Sequence, residues 1–251
     1  MEKTERKKHG KVKKILLIFV AVILILCIAV FAVCIIPCKT HNIPVEVFNS
    51  DNDITVMEID GGATAFVPEN PFAGIIFYPG ARVKAEAYAP LMRALAQKEI
   101  VAVSLDVPFN LAFFDVNAAD GIKEQFQNVK NWYVGGHSLG ADVAGMYLAK
   151  HTEDFDGLVL FAGFITNDLK NTDLSVLSVY GENDGVLTGD LYTGCLKYLP
   201  DDFYEYVIPG GNHAGFAYYG PQAGDNEATI SKDEQIEATA KFLAEQIKSE
   251  N

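Results

Sequence analysis

The sequence predicts an α/β domain, a mostly parallel β-sheet flanked by helices, preceded by one amino-terminal transmembrane helix. Two observations support this fold class. From residue 53 onward, short apolar runs alternate with segments of helical periodicity, which is typical of parallel strands joined by crossover helices. Near the amino terminus, residues 15–36 contain no charged or strongly polar side chain.

The amino-terminal segment is predicted to be an uncleaved membrane anchor. As a helix, residues 15–36 would extend about 33 Å, enough to cross a hydrocarbon core of about 30 Å. Residues 1–14 form a basic tail expected in the cytoplasm, which places the domain on the extracytoplasmic side of the cell membrane, single-pass. A cleaved signal peptide is the alternative, but its apolar run is usually only about 7–15 residues and ends in a small-x-small site, which is missing here.

Composition limits the possible partners. The 251 residues carry a net charge of −13, and residues 1–14 contribute +5, so the remainder carries −18. Such an acidic body is not expected to bind nucleic acid, since it lacks the cations that neutralise phosphates. Cys27, Cys34, Cys38 and Cys195 form no disulfide framework, although a Cys38–Cys195 bridge is an alternative.

The elements of the domain follow residues 37–52, which are interpreted as a linker before a domain at residues 53–251. Residues 54–59 and 63–67, joined around Gly61 and Gly62, predict an antiparallel hairpin. Later strands are predicted at residues 74–78, 100–105, 131–135, 157–161, 175–180 and 203–208. Helices are predicted at residues 86–98, 118–127, 139–150 and 231–248, the last opened by a capping box at Ser231 and Glu234.

A serine lies between a predicted strand and a predicted helix. Residues 136–140 fit Gly-x-Ser-x-Gly, with Ser138 at the centre. A nucleophile on so sharp a turn adopts strained backbone angles, and side chains two positions away on either side would collide, so glycine occupies both. The strand–turn–helix context predicts that Ser138 is a nucleophile.

Serine needs a base to react near neutral pH. His213 follows the strand at 203–208 and therefore lies at the carboxyl edge of the sheet, where ligands of such sheets bind. The other histidines are His9, His41, His137 and His151. The first two lie before or beside the anchor, the third adjoins the serine in sequence, and the fourth ends a helix, so His213 is the predicted base.

An acid should orient that base and stabilise its charged form. Asp184 directly follows the strand at 175–180, and the chain order Ser, Asp, His matches a known arrangement of hydrolases. The competing carboxylates are Glu182, Asp168 and Asp173. We favour Asp184.

These motifs resemble the α/β-hydrolase superfamily, in particular its compact, dienelactone-hydrolase-like bacterial members. The matching segments are IFYPGA at residues 76–81, GGHSLG at 135–140, VYGENDG at 179–185 and GGNH at 210–213. The resemblance implies an oxyanion hole from the N–H of Leu139 and an N–H after Tyr78. Because many relatives have His-Gly where this chain has Pro79-Gly80, the second donor is assigned to Ala81, with Arg82 as the alternative.

Aromatic residues in two loops are predicted to overhang the serine as a substrate wall. They are Phe109, Phe113, Phe114 and Phe216. Packing over the sheet edges is an equally good interpretation, since pockets and cores are both apolar. Residues 162–174 are too few for a helical cap domain, so a small, open site with minimal or no cap is expected.

The predicted function is a membrane-anchored carboxylic-ester hydrolase that works through a Ser138 acyl-enzyme on a small-molecule or lipid ester, with no metal and no other cofactor. An acyltransferase on lipid or cell-envelope acceptors is the alternative from the same fold. A non-catalytic binding protein is a third hypothesis, since a fold alone does not fix a function.

Overall fold

The structure, a computed structural model, describes residues 13–14, 17–26, 36–201 and 203–250. The chain divides into two compact units, Met1–Ile36 and Pro37–Asn251. In the first unit, residues 17–26 are helical with exposed side chains. No helix within the described residues has both the length and the apolar character needed to cross a bilayer. The predicted anchor at 15–36 and its basic tail lie partly outside the described residues, so the membrane span stays a prediction.

The second unit is built on one eight-stranded sheet, which confirms the predicted α/β class. The strands are β1 (Ile54–Glu58), β2 (Thr64–Pro68), β3 (Ala73–Tyr78), β4 (Ile100–Ser104), β5 (Asn131–His137), β6 (Gly157–Phe161), β7 (Ser175–Gly181) and β8 (Tyr204–Ile208). Their order across the sheet is β1-β2-β4-β3-β5-β6-β7-β8. β2 pairs antiparallel with β1 and β4, and all other pairs are parallel. The carboxyl ends of β3 to β8 therefore meet at one edge.

Helices cover both faces of this sheet. They are α1 (Ala89–Gln97), α2 (Leu139–Leu148), α3 (Gly189–Cys195) and α4 (Lys232–Ser249). α1 and α4 contact each other and share one apolar core, whereas α2 packs into a second core on the opposite face. The predicted capping box is present, because Ser231 and Glu234 exchange both of its hydrogen bonds at the start of α4.

Two elements differ from the sequence-based predictions. Residues 118–127 form turns and a single 3₁₀ turn at Lys123–Gln125 instead of a helix. Gly121 has a φ of +73° there, which no right-handed helix accommodates. The helix α3 escaped prediction because it is short and holds Gly189 and Gly194, which have low helix propensity.

The segment interpreted as a linker is docked on the domain. The guanidinium of Arg93 donates hydrogen bonds to the carbonyl oxygens of Val47 and Asn49 and pairs with Asp51. Farther back, the N–H of Cys38 donates to the carbonyl of Arg82 at 2.7 Å. Residues 37–52 thus belong to the folded unit, and Cys38 and Cys195 are both free thiols.

The docked segment gives a stability prediction. We expect a chain that begins at Asp53 to be less stable than one that begins at Pro37 by at least about 2 kcal/mol, because each lost hydrogen bond contributes roughly 1 kcal/mol. Urea denaturation of the two chains measures the difference. Equal free energies of unfolding would show that residues 37–52 contribute nothing to the stability of the domain.

Candidate active site

Ser138 occupies a strained turn between β5 and α2. Its backbone has φ +54° and ψ −118°, outside the common regions for a residue with a side chain. Its N–H donates to the carbonyl of Phe161 at 2.9 Å, which fixes the turn to the end of β6. Strain of this kind costs about 1–3 kcal/mol and is typical of functional sites.

Two glycines make this turn possible. A Cβ on Gly136 would lie 2.3 Å from the carbonyl carbon of Gly140, and a Cβ on Gly140 would lie 2.3 Å from the carbonyl oxygen of Tyr78. Both distances are far below contact, and the obstacle in each case is backbone. The steric reason that the sequence spacing suggested is therefore confirmed.

The structure joins His213 and Asp184 directly. The Nδ1 of His213 lies 2.9 Å from the Oδ2 of Asp184, and each side chain is only 2% exposed. The other carboxylate oxygen accepts the N–H groups of Val186 and Leu187, both at 2.8 Å. With Nδ1–H donated to the carboxylate, Nε2 is the ring nitrogen available to accept a proton.

Two of the three competing carboxylates accept hydrogen bonds elsewhere. Glu182 accepts the backbone N–H of Gly210 at 2.9 Å. Asp168 accepts the N–H of Lys170 at 3.0 Å within its own turn. Asp184 is therefore the acid that contacts His213.

Ser138 and His213 line one pocket of about 310 Å³ at the carboxyl edge of the sheet. Its other lining residues are Ala81, Leu139, Asp142, Ala162, Gly163, Phe164, Val186 and Leu187. Most of this lining is apolar. The carboxylate of Asp142 accepts two hydrogen bonds from Thr166, one from its N–H and one from its hydroxyl.

Backbone donors lie at the same pocket. Leu139 begins α2, so its N–H has no acceptor within the helix. In the part of the chain that the structure describes, the N–H of Ala81 donates no hydrogen bond, whereas that of Arg82 donates to the carbonyl of Asn110 at 2.7 Å. Of the two candidates for the second donor, Ala81 therefore lines the pocket and Arg82 is engaged elsewhere.

The four aromatic residues predicted as a substrate wall do not line this pocket. Phe216 is fully buried, because the 3₁₀ turn at His213–Phe216 directs its ring against His137 and Phe161. Phe109, Phe113 and Phe114 are about half exposed outside it. Phe164, Val186 and Leu187 form the apolar wall instead. Only their position just after β6 and β7 could have suggested them.

Asp225 also holds the site, and the sequence analysis missed it. One of its oxygens accepts the N–H of Gly185 at 3.1 Å and that of His213 at 3.2 Å, and the other accepts the N–H of Ala214 at 2.9 Å. It thereby ties the loop after β7 to the loop after β8. Its sequence context reads only as a turn, so no local signal marked it.

A buried hydrogen-bond chain links three loops of the site. The N–H of Gly80 donates to the hydroxyl oxygen of Tyr88 at 3.0 Å, and that hydroxyl lies 2.8 Å from Nδ1 of His137. Nε2 of His137 lies 3.0 Å from the carbonyl oxygen of His213. Because a carbonyl only accepts, Nε2 carries the proton and Nδ1 accepts from Tyr88.

Burial favours the neutral form of both side chains in this chain. It lowers the pKa of His137 well below its usual range, with the nearby His213 as the second cause. It also raises the pKa of Tyr88 well above its usual range. At neutral pH each hydrogen bond of this buried series therefore has one fixed donor: Gly80 N–H, Tyr88 O–H and His137 Nε2–H.

The chain belongs to the alpha/beta hydrolase family, whose model matches residues 74–237. The resemblance inferred from the four motifs is thereby confirmed at the level of the superfamily. None of the curated proteins compared with the chain matches it in sequence.

Solved structures share the fold at low sequence identity. TT1662 from Thermus thermophilus is 15% identical, with a TM-score of 0.56 over 76% of this chain and 96% of its own. Dienelactone hydrolase from Anabaena variabilis is 14% identical, with a TM-score of 0.55 over 77% and 97%. Est1E from Butyrivibrio proteoclasticus is 15% identical, with a TM-score of 0.53 over 78% and 99%. At these identities the likeness establishes the fold.

The neutral state of His137 gives a pH prediction. Between its low folded pKa and an unfolded pKa of about 6.5, the unfolded chain binds one more proton, so His137 lowers stability as the pH falls below about 6.5. The free energy of unfolding should fall faster in the wild type than in His137→Gln, by up to about 1.4 kcal/mol per pH unit. Urea denaturation at pH 7.5, 6.5 and 5.5 measures this. Parallel profiles for the two proteins would contradict it.

Proposed function

We propose that the chain is a carboxylic-ester hydrolase that works through an acyl-enzyme on Ser138. One observation carries the proposal: the strained serine and a histidine held by a buried aspartate line the same pocket. A hydroxyl, an imidazole and a carboxylate in this order can activate a serine for acyl transfer. The fold shared with esterases and a dienelactone hydrolase supports the same reaction class.

The reaction would run in two halves. Nε2 of His213 takes the proton of Ser138 as Oγ bonds to the carbonyl carbon, and the same proton passes to the leaving alcohol when the ester C–O bond breaks. Water then loses a proton to Nε2 and attacks the acyl carbon. The bond between Oγ and the acyl carbon breaks, and Nε2 returns the proton to Oγ, which releases the acid and restores Ser138. Asp184 stabilises the imidazolium in both halves.

Backbone N–H groups would stabilise the tetrahedral intermediates. Those of Leu139 and Ala81 border the pocket that holds Ser138 and are the donors we assign to the developing oxyanion. Losing one such donor typically costs about 10²–10³ in rate. The start of α2 adds a favourable dipole at this point.

The pocket favours a modest, uncharged acyl group. About 310 Å³ with walls from Phe164, Val186 and Leu187 suits a short aliphatic or small aromatic chain. The carboxylate of Asp142 at the wall disfavours an anionic acyl group.

We also propose that residues 15–36 anchor the enzyme in the cell membrane with the catalytic domain on the extracytoplasmic side. The support is the uncharged length of this segment and the +5 tail before it. The acidic domain that follows would be soluble and mildly repelled by anionic lipids.

Labelling tests the nucleophile. The full chain in detergent should react covalently with a fluorophosphonate probe, because an activated serine attacks phosphorus as it attacks a carbonyl. Ser138→Ala should abolish the label, and Ser249→Ala, which changes a serine at the far end of α4, should keep it. A folded wild type that takes no label would refute the hydrolase proposal.

The buried hydrogen-bond chain gives a separate kinetic prediction. Tyr88→Phe leaves Gly80 and His137 without their partner, and we expect kcat for a short-chain ester to fall about tenfold, the value of one hydrogen bond of about 1.4 kcal/mol. KM should change little, since Tyr88 does not line the pocket. Tyr147→Phe, which removes a hydroxyl bonded to Asp120, is the control. An unchanged kcat in Tyr88→Phe would mean that the buried hydrogen-bond chain stabilises the fold and has no effect on catalysis.

A further inference from the structure

Three phenylalanines form an exposed patch beside the candidate active site. Residues 109–114, here called the aromatic loop, hold Phe109, Phe113 and Phe114, whose exposed fractions are 51%, 45% and 53%. The rings of Phe109 and Phe114 meet edge to face at 5.5 Å. Large aromatic side chains grouped at the surface of a soluble domain mark a site of interaction.

The aromatic loop is held in this shape. Phe109 and Asn110 both have positive φ angles, +58° and +54°, which side-chain-bearing residues rarely adopt. The carbonyl of Asn110 accepts the N–H of Arg82, and the N–H of Asn110 donates to the carbonyl of Val107. These backbone hydrogen bonds fix the loop at the carboxyl edge of the sheet. The loop lies next to Arg82, which directly follows the pocket residue Ala81.

The same residue, Arg82, receives the segment that follows the proposed anchor. Its carbonyl accepts the N–H of Cys38 at 2.7 Å. Nearby, Thr40 forms an antiparallel bridge with Tyr219, six residues after His213. The segment at residues 38–40 is therefore bonded to the residue after Ala81 and to the segment that follows His213.

The proposed span and the first docked residue of the domain are joined by a very short connection. Only Pro37 separates residue 36, the last of the proposed span, from Cys38. Two residues reach at most about 7 Å. By covalent connectivity alone, the proposed anchor therefore ends within about 7 Å of Cys38, whose N–H is bonded to the carbonyl of Arg82.

We propose that the aromatic loop inserts into the interface of the membrane that holds the anchor, so that the site draws an amphiphilic, lipid-like ester from that bilayer. The inference rests on the anchor and the esterase reaction proposed above. Asp106 and Asp115 flank the loop, and the domain is strongly acidic, so apolar burial must drive the insertion. A zwitterionic surface therefore suits it better than an anionic one.

Fluorescence quenching tests the insertion. The full chain has one tryptophan, Trp132, which is 3% exposed and gives a constant background. Phe113→Trp is reconstituted into phosphatidylcholine vesicles with brominated or ordinary acyl chains. Bromine should remove about half of the added emission, since interfacial side chains lie within roughly 5–10 Å of the acyl boundary. Tyr204→Trp is the control, because Tyr204 is 45% exposed and begins β8 at the opposite edge of the sheet.

The outcomes distinguish failure of the membrane-insertion inference from failure of the proposed anchor. Quenching of Phe113→Trp well above that of Tyr204→Trp supports insertion, and equal quenching overturns it. Protein that does not float with the vesicles overturns both the anchor and this inference. A dimer in detergent that dissociates when the three phenylalanines become serine would show that a second copy covers the loop, and would also overturn it.

A kinetic comparison tests the substrate class. In Phe109→Ser/Phe113→Ser/Phe114→Ser, the rate on a short-chain diacylglycerol in the vesicles, divided by the rate on soluble p-nitrophenyl acetate, should fall about tenfold relative to wild type, because the variant loses apolar area at the interface. An unchanged ratio overturns the inference while leaving the esterase proposal intact. The esterase proposal itself would be refuted by wild-type protein that hydrolyses neither ester and is not labelled by the fluorophosphonate probe.

Discussion

The close approach of α2 to the end of β3 is the constraint on which the candidate active site depends. It brings the backbone of Gly140 against the carbonyl of Tyr78 and leaves no room for a side chain at that position. The turn before it must then bend sharply, which forces Ser138 into its positive φ. The contact between Gly140 and Tyr78 thereby fixes the positions of Ser138, the first N–H of α2 and the loop after β3 relative to one another.

The rest of the site is held by hydrogen bonds between loops and by the buried pair of His213 and Asp184. Tyr88 and His137 connect the loop after β3 to the backbone of His213, while Asp225 connects that backbone to the loop after β7. Such bonds span loops that share no secondary structure. Surface ion pairs, such as Lys241 with Glu245, contribute little by comparison because water screens them.

Local patterns predicted most of the fold. The mostly apolar segments of β3 to β7 and the capping box of α4 are signals within a few residues, and they gave the correct elements. Residues 118–127 failed because one glycine at positive φ outweighs a helical pattern. Residues 37–52 look polar enough for a linker, and their docking depends on partners far along the chain, such as Arg82 and Arg93.

Sequence predicted which residues lie together where chemistry dictates residue type and order: Asp184 contacts His213, and Ser138 lines the same pocket as His213. Orientation was not predictable in the same way. Four phenylalanines looked alike in sequence, yet a 3₁₀ turn buries Phe216 and a pair of left-handed residues keeps Phe109 at the surface. Tyr88 and Asp225 act through contacts 49 and 12 residues away, and no periodic pattern encodes those separations.

The connection between β6 and β7 has a further consequence. Residues 162–174 form no helix or strand, and Thr166 fastens them to Asp142 by two hydrogen bonds. This short segment supplies Ala162, Gly163 and Phe164 to the wall of the pocket. If an acyl group forms on Ser138 as proposed, this connection holds no cap domain that would shield the acyl group from water.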